Sequence, residues 1–323
     1  MSARRRLIVG SAGGTNAFGA IRSVRDRYGD RVFVVAIDTN PREHVAATVL
    51  SDAFVQVPPA RSPEFIVALR DLAHSYPGAC YLPLHDDEIQ VAAHLAFEER
   101  LPSGLELIAP PFGVVRLCSD KWQMHQWLAE KGFRSPRTHL ATPAAFRQIG
   151  SPAMLKPREG TGSQGVRLIR DGREIADLDP NRWLLQEQLQ GPETAIDVFL
   201  SRRTGAFVCA CREYIEVRAT VAMKVRVHSD PVLERIAENL ACTLPLHGGF
   251  MFQVMRDSTG QWTIIDVNPR IGSGTRMCAV LGLDFAAANL ADFWGEPVDA
   301  MLRPLSEEHY VVRQYADYDT GRP

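Results

Sequence analysis

The sequence has few of the residues that build disulfide frameworks or zinc sites. Its six cysteines are spread over 323 residues, and none belongs to a C-x-x-C pair. Its nine histidines show neither H-x-x-x-H nor H-E-x-x-H spacing. These absences exclude a disulfide-stapled fold and the common zinc motifs. Cys209 and Cys211 lie two residues apart on one predicted strand, where side-chain packing is favoured over metal binding.

Long apolar runs and a strong charge of one sign are also absent. The formal net charge of -2 gives no reason to expect a nucleic acid or an anionic membrane as partner. No window reaches transmembrane length, and the apolar stretch between Arg6 and Ser11 is too short for a signal-peptide core. We therefore expect a cytoplasmic protein, long enough for two or three domains. Any anionic ligand must be held by local arginines and lysines.

The first third of the chain alternates strands and helices. Residues 7–10 and 32–38 are predicted buried strands, and residues 17–28 form an amphipathic helix between them. This order predicts a parallel sheet of the doubly wound kind. The small-residue loop at 11–16 precedes a helix N-terminus, where anions bind, but its glycines do not form the G-x-G-x-x-G fingerprint of dinucleotide sites. Dinucleotide binding is therefore disfavoured.

A further predicted strand, residues 80–84, ends in the run His85-Asp86-Asp87-Glu88. Ligands of open α/β sheets sit at the carboxyl ends of the strands, so these acids are placed to orient a substrate amine. They are equally suited to stabilise the N-terminus of the following helix through its dipole. The sequence leaves both interpretations open.

Two lysines are candidates for phosphate binding. Lys121 lies in the first turn of a predicted helix, where a cation opposes the helix dipole, so a phosphate-binding role competes with that of a solvated lysine. Lys156 lies on a strand just before a loop with three glycines, which let backbone N–H groups approach phosphate oxygens. Because the lysine precedes the glycines, this is no P-loop. We predict a hairpin lid over phosphates, with a plain flexible hairpin as the alternative.

The next stretch suits the recognition of a nucleoside. Residues 183–189 form an apolar strand that turns polar and continues into an open linker, whose backbone can read a purine edge. Glu193 follows and is placed to accept hydrogen bonds from ribose hydroxyls. Residues 207–213 and 217–227 are predicted strands that carry several cationic side chains.

Residues 250–255 and 262–268 are predicted to form a hairpin. Alternation places Ile265 and Val267 on one face of its second strand, so that Asp266 and Asn268 lie on the other. Pairing of the two strands would bring Gln253 roughly opposite Asp266.

Three oxygen-bearing side chains of this hairpin therefore converge, with Arg270 beyond them. Such a set suits a hard divalent cation, because magnesium takes a few protein oxygens together with phosphate oxygens. The arginine fork complements the charge of the phosphate. The alternative is an edge hairpin with a solvated polar face.

These motifs, in this order, closely resemble the ATP-grasp superfamily. The nearest branch contains the large subunit of carbamoyl-phosphate synthetase, biotin carboxylase and smaller carboxylate–amine ligases. The resemblance covers about residues 115–300 and implies a mixed fold of the α/β and α+β classes. It implies a Rossmann-like pre-ATP-grasp domain that binds substrate at 1–114 and a two-lobed ATP-grasp domain at 115–305. The lid would span about residues 136–188. Residues 306–323 would form a C-terminal tail.

The resemblance also implies a set of site residues. Those expected to bind ATP, from its phosphates to its adenine and ribose, are Lys121, Lys156, Gly160, Gly162, Ser163, Gly165, Glu187, Leu189 and Glu193. The expected ligands of magnesium, for which manganese is an alternative, are Gln253, Asp266 and Asn268. The expected catalytic residues are Lys156, Arg212 and Arg270. The candidate substrate residues, some of which are chosen from their position in the sequence alone, are Asn16, Asp87, Glu88, Arg218 and Arg276.

One position departs from the family pattern. The family usually has glutamate where this chain has Asp266, whose side chain is one methylene shorter. The departure leaves open whether one or two magnesium ions bind.

The activity that the resemblance implies is an ADP-forming ligation of a small-molecule carboxylate to an amine through an acyl phosphate. A small-molecule kinase and a non-catalytic nucleotide-binding module are the alternatives. Homodimerisation is an expectation from the family alone.

Overall fold

Three sheets follow one another along the chain in the computed structural model, which describes residues 4–160, 162 and 164–321. Within this part of the chain, no helix combines the length and the apolar character needed to span a bilayer. Short 3-10 turns span Gly29–Arg31, Arg42–His44, Ala46–Leu50, Gly172–Ile175 and Asp299–Met301.

The first sheet is five-stranded and parallel, in the order β3-β2-β1-β4-β5. Its strands are β1 (Arg5–Val9), β2 (Val32–Asp38), β3 (Ala53–Gln56), β4 (Ala79–Leu82) and β5 (Leu105–Leu107). Its helices are α1 (Thr15–Tyr28), α2 (Glu64–Ser75) and α3 (Asp86–Phe97). The predicted doubly wound sheet is confirmed. Its strand order reverses between β1 and β4, and a crevice for ligands forms at that point of such sheets.

Two helices connect this unit to the rest: α4 (Phe112–Ser119) and α5 (Lys121–Glu130). Asp120 lies between them and caps α5, because its carboxylate accepts hydrogen bonds from the N–H groups of Trp122 and Gln123. The predicted helix start at Lys121 is confirmed.

The second sheet is four-stranded and antiparallel, in the order β6-β9-β7-β8. Its strands are β6 (Thr138–Leu140), β7 (Ala153–Pro157), β8 (Arg167–Ile169) and β9 (Trp183–Glu187), with α6 (Pro143–Ile149) against one face. Apolar residues of β7 and β9 pack in a small core of their own with α6. The glycine-containing loop joins β7 to β8, as the sequence predicts.

The third sheet is six-stranded, in the order β14-β13-β10-β11-β12-β15. Its strands are β10 (Thr194–Leu200), β11 (Phe207–Arg218), β12 (Val221–His228), β13 (Gly248–Arg256), β14 (Trp262–Asn268) and β15 (His309–Val312). Its helices are α7 (Pro231–Thr243), α8 (Arg276–Ala279) and α9 (Phe285–Phe293). Helix α7 covers one face, and α9 packs against β10 and β13 while also touching α1 of the first unit.

One prediction about this sheet is wrong in detail. The chain does not break near residue 215: β11 continues to Arg218 and turns at Ala219 and Thr220. Both turn residues have positive φ, 44° and 67°, without being glycine, so the sequence carries no ordinary turn signal there. The C-terminal segment, for which no structure was predicted, forms β15 and pairs with β12.

Candidate active site

The second and third sheets present half-buried polar side chains on their inner faces. On β7, Ala153 and Leu155 point into the small core, which leaves Met154 and Lys156 on the opposite face. On β14, Ile265, Asp266 and Asn268 are half-buried, whereas their neighbours are buried. Lys156 and Asp266 lie close enough to influence each other's charge.

The hairpin of β13 and β14 pairs as predicted at its functional end, with Gln253 opposite Asp266. The next pair is Val254 with Ile264, so Ile265 is an extra residue that forms a β-bulge. Ile264 therefore packs in the core with Val267, and Ile265 turns away from it. The prediction that Ile265 and Val267 lie on one face of the strand is wrong, because strict alternation does not allow for the bulge.

The predicted metal ligands lie within a group of oxygen-bearing side chains. Asn268 donates a hydrogen bond of 3.1 Å to Asp266, and Gln253 donates one to Glu193. Burial raises the pKa of the Glu193 carboxyl, and the nearby charge of Asp266 raises it further. A bound cation beside Glu193 would offset both effects, because it favours the ionised form of the carboxyl.

This donor set fits magnesium held jointly with phosphates. Among the residues that the structure describes, there is no group of three or more acidic, histidine or cysteine side chains that could hold a metal ion. Magnesium in phosphate-transfer sites takes only one or two carboxylates from the protein, so Asp266 with amide oxygens suffices when phosphates supply further ligands.

Two lysines face these acids. Burial lowers the pKa of Lys156 to about 8; the nearby Asp266 opposes this effect and Lys121 adds to it. The ammonium of Lys121 donates a 2.8 Å hydrogen bond to the carbonyl of Gly160, at the start of the glycine loop. The two lysines are therefore brought together at one end of the cleft, next to the loop.

The glycine loop has the backbone that its composition predicts. Gly160, Gly162 and Gly165 have φ of 136°, 62° and 75°, values that residues with a side chain rarely adopt. The predicted lid residue Ser163 lies outside the described residues. The base of the loop is tied to α5, because Arg158 donates 2.9 and 2.7 Å hydrogen bonds to Asp120.

The predicted adenine residues lie at the connection between the second and third sheets. Leu189 is half-buried just beyond β9. The carboxylate of Glu187 accepts hydrogen bonds of 2.9 Å from both the backbone and the guanidinium of Arg137. Glu187 borders an open cavity of about 460 Å³ that His125 and Thr263 also line. This volume lies within the range of about 300–1,000 Å³ of small-molecule sites.

Arg270 crosses from the third sheet to the first unit. Its guanidinium binds the carboxylate of Asp86 with two hydrogen bonds, of 2.7 and 3.2 Å, and both side chains are 18% exposed. The neighbouring Asp87 binds Arg61 on the surface instead. Both acids, with Glu88, lie in the first turn of α3, as the capping interpretation predicts.

Two acids of the first unit bind the loop at 11–16 through their carboxylates. Glu88 is buried and accepts hydrogen bonds from the backbone N–H and hydroxyl of Ser11, at 3.0 and 2.9 Å. Asp38 accepts one of 2.7 Å from the N–H of Gly13. Burial raises the pKa of Glu88 to about 7. Because protein carboxylates use these donors, the loop does not suit a dinucleotide phosphate.

Of the other candidate substrate residues, Asn16 and Arg276 lie together, whereas Arg218 lies apart. Asn16 donates a 2.7 Å hydrogen bond to the carbonyl of Leu84, at the crevice of the first sheet. Arg276 binds Asp26 and Asp284, and it lines a small cavity together with Asn16. Arg218 is exposed at the end of β11, where it binds Glu216. The structure does not bring Arg218 to the other site residues.

Arg212 is fully buried on β11 and paired with Asp197 of β10, with its Nε 2.9 Å from the carboxylate. Asp197 also accepts a 2.6 Å hydrogen bond from the hydroxyl of Thr275, which in turn accepts one of 2.9 Å from the N–H of Gly272. The ion pair therefore fixes the turn that follows Arg270.

Several of these partners were not anticipated from the sequence. Asp197 carried a signal, because an acid in the middle of an otherwise apolar strand requires a buried partner. Asp86 belongs to the acidic run that was predicted to be functional, but no role was predicted for Asp86 itself. The pairing of Arg158 with Asp120 had no signal, because the two residues are 38 positions apart.

Comparison with known proteins places this geometry in context. Residues 118–274 match the family model described as an ATP-grasp domain. Among curated proteins, the 3-methyl-D-ornithine–L-lysine ligase of Methanosarcina mazei is 24% identical over 164 residues, which cover 51% of this chain and 42% of that protein. The aligned segments span less than two thirds of the length of the curated relatives that the chain matches.

Solved structures share the fold over most of the chain. The biotin carboxylase domain of Hydrogenobacter thermophilus 2-oxoglutarate carboxylase, a dimer solved with MgADP, ADP and bicarbonate, has a TM-score of 0.71 at 18% identity and covers 91% of this chain and 70% of its own. L-amino acid ligase from Bacillus licheniformis has a TM-score of 0.71 at 17% identity and covers 94% of this chain and 78% of its own. At such identities the likeness shows the fold alone.

Proposed function

We propose that the protein is an ATP- and magnesium-dependent ligase that activates a small-molecule carboxylate as an acyl phosphate and joins it to an amine, because residues 118–274 match the model of the ATP-grasp domain. In this proposal residues 1–114 bind substrate, residues 115–305 bind ATP, and about residues 136–188 form the lid. The relatives named as ligases support the class of reaction.

The observation that carries the proposal is the placement of Lys156 against Asp266. The lysine is half-buried and the acid comes from a different sheet, yet Asp266 lies close enough to raise the pKa of Lys156, as does Glu193, and Lys121 is also close by. Lysines neutralise phosphate charge, and an acid with neighbouring amides would hold magnesium beside those phosphates. A packing role would not require opposite charges to converge at a half-buried position.

The residues have distinct roles in this reaction. Lys121 and Lys156 would bind the phosphates of ATP, and Asp266, Asn268 and Gln253 would hold magnesium, which offsets the charge that develops on the transferred group. The glycine loop would exclude water, which would otherwise hydrolyse the acyl phosphate.

Atoms and charges balance over two steps. A carboxylate oxygen attacks the γ-phosphorus of ATP, the bond to the bridging oxygen breaks, and ADP leaves. The amine nitrogen then attacks the acyl carbon, phosphate leaves, and the amine proton passes to solvent. The first step is needed because phosphate is a far better leaving group than oxide.

Hydroxylamine provides the test, because it intercepts acyl phosphates as hydroxamates. The protein would be incubated with ATP, magnesium, hydroxylamine and a pool of amino acids and other small carboxylates, and hydroxamates identified by mass spectrometry. We expect a carboxylate-dependent hydroxamate with matching ADP release. ADP with a stable phosphorylated compound and no hydroxamate would instead establish a kinase.

Variants assign the reaction to this site. Lys156→Met and Asp266→Asn are expected to lower turnover about 100-fold or more, because each removes a charge that acts on the transferred phosphoryl group. Lys131→Met is the control, since Lys131 is exposed at the end of α5 and, among the described residues, its ammonium binds only Glu130. Full turnover in folded Lys156 and Asp266 variants would overturn the proposal.

A further inference from the structure

The third sheet buries a cation whose hydrogen-bonding capacity is incompletely used. Arg212 is 0% exposed, and its Nε and Nη2 are directed to Asp197. Its Nη1 is buried and has no hydrogen-bond partner among the described residues. An unpartnered donor of a buried guanidinium is costly, so such a group indicates a missing acceptor.

A second arginine reaches the same place from the C-terminal segment. Arg313 follows β15 directly and donates a 2.7 Å hydrogen bond from Nη2 to the carbonyl of Ser273. Its Nη1 is likewise buried without a partner in the described chain. Burial lowers the pKa of Arg313, and the charge of Arg212 lowers it further, so the two cations are close neighbours.

The charges around these arginines do not balance. Asp197 pairs with Arg212, and no described acid lies within salt-bridge distance of Arg313. The ring of Tyr214 lies 5.5 Å from the Arg212 guanidinium carbon, but burial raises the pKa of its hydroxyl, which keeps it neutral. One positive charge therefore has no negative partner in this partly desolvated region. A bound anion would neutralise this charge.

The two guanidinium groups lie against consecutive residues of one turn. Arg313 contacts Ser273, and a Cβ built on Gly274 would overlap the guanidinium of Arg212. Glycine at 274 thus lets the guanidinium of Arg212 pack directly against the backbone of the turn. The turn is held in place by the hydrogen bond from Thr275 to Asp197.

We propose that Arg212 and Arg313 form an anion subsite at Ser273 and Gly274 that takes the carboxylate of the acid substrate. The inference rests on the proposed ligase function and adds to it a substrate contact from the C-terminal segment. The subsite adjoins the phosphoryl-transfer groups, because the charges of Arg212, Asp266 and Lys156 all act on Glu193. A planar carboxylate presents two oxygens, one for each unpartnered Nη1.

The residue to vary is Arg313. Replacing Arg212 would leave the charge of Asp197 buried and unpaired, which endangers folding. Arg313→Met removes the second cation while leaving that ion pair intact, and Arg313→Lys keeps the charge without the fork. The control is Arg226→Gln, on β12 of the same sheet, where Arg226 binds Glu213 and Glu308 on the surface.

Inorganic sulfate probes the subsite without requiring activity. Thermal unfolding would be measured with saturating MgADP, which occupies the nucleotide site, in sodium sulfate and in sodium chloride of equal ionic strength. We expect sulfate to raise Tm more for the wild type and for Arg226→Gln than for Arg313→Met, in which only the general stabilisation by an excluded salt remains. An equal rise in all three proteins would overturn the subsite, even if the ligase reaction proceeds.

Kinetics then identify what the subsite binds. With the acid found by hydroxylamine trapping, Arg313→Met should raise KM for that acid about 10–100-fold, the effect of losing one charge-assisted hydrogen bond. KM for ATP should stay unchanged, and Arg313→Lys should recover part of the loss. A raised KM for ATP with an unchanged KM for the acid would assign the subsite to nucleotide phosphate and overturn the proposal. Absence of any hydroxamate from the wild type would count against the ligase function, while the sulfate measurement would still test the subsite.

Discussion

At the scale of single residues, Lys156 shows how burial tunes a charge that must remain available to a ligand. Its pKa falls to about 8 because its ammonium is desolvated in the cleft. A lysine with this pKa is mostly charged at neutral pH and loses its proton in mildly alkaline solution. The affinity for phosphates should therefore change within an accessible range of pH.

We predict that kcat/KM for ATP falls as pH rises through about 8, because this ratio reports the protonation state of the free enzyme. Arginine stays protonated at any accessible pH, so Lys156→Arg should have a flat profile between pH 7.5 and 10, whatever its absolute rate. The measurement is ATP turnover across this range with the trapped acid. A parallel fall in both proteins would assign the titration to another group.

The folding equilibrium should respond in the opposite sense. The pKa of Lys156 is lower in the folded than in the unfolded chain, so between about pH 8 and the unfolded value the unfolded chain binds more protons. This group therefore makes the folded state more stable as pH rises through that window. Declining turnover together with unchanged or rising stability would separate deprotonation of the site from unfolding.

The acidic run after β4 shows what the sequence could and could not resolve at this scale. Consecutive helical residues point about 100° apart, so three adjacent acids face three directions once α3 begins at Asp86. Asp86 meets Arg270, Asp87 meets Arg61 and Glu88 meets Ser11. The sequence identified the run as a place for function, but the direction of each side chain depends on where the helix begins.

At the scale of elements, the bulge in β14 decides which side chains reach the cleft. The local pattern predicted both strands of the hairpin and the pairing of Gln253 with Asp266. It could not predict the extra residue, because Ile264 and Ile265 are chemically identical. The bulge turns Asp266 and Asn268 to the cleft while Ile264 and Val267 fill the core.

We predict that equal truncations of these neighbours have different effects. Ile264→Ala should lower the free energy of unfolding by about 2–5 kcal/mol, because it leaves a cavity in the core. Ile265→Ala should cost only about 1 kcal/mol, since its side chain is half-buried, and should raise KM for ATP. Urea denaturation and steady-state kinetics measure both effects. Equal destabilisation by the two variants would contradict the bulge.

The strand β15 marks the limit of reasoning from local patterns. Its four residues pair with β12, more than 80 positions earlier, and no turn connects the two. Local sequence carries no signal for such a pairing, whereas the hairpin of β13 and β14 is specified by its own turn. The position of Arg313 at the third sheet therefore could not be predicted from the local sequence of the C-terminal segment.

At the scale of the whole molecule, the first unit and the third sheet share a core. Ile271, Ala286 and Leu290 pack in the same apolar cluster as β1 and α1. Arg276 adds a polar link, through Ser23 and Asp26 of α1. The crevice of the first sheet and the end of β14 are thereby held at a fixed distance, which suits a reaction between ligands bound to both.

Arg270 and Asp86 form the part of this contact that is closest to the chemistry. We predict that Asp86→Asn lowers kcat about 10–100-fold and changes KM for ATP little, because Arg270 loses the carboxylate that orients it. Asp87→Asn should leave kcat within about twofold, since Asp87 binds only the exposed Arg61 in the described chain. Steady-state kinetics with the trapped acid, after thermal unfolding has shown both variants to be folded, distinguish the two. A raised KM for the amine in Asp87→Asn, with normal turnover in Asp86→Asn, would instead favour the sequence-based assignment of Asp87 to the substrate.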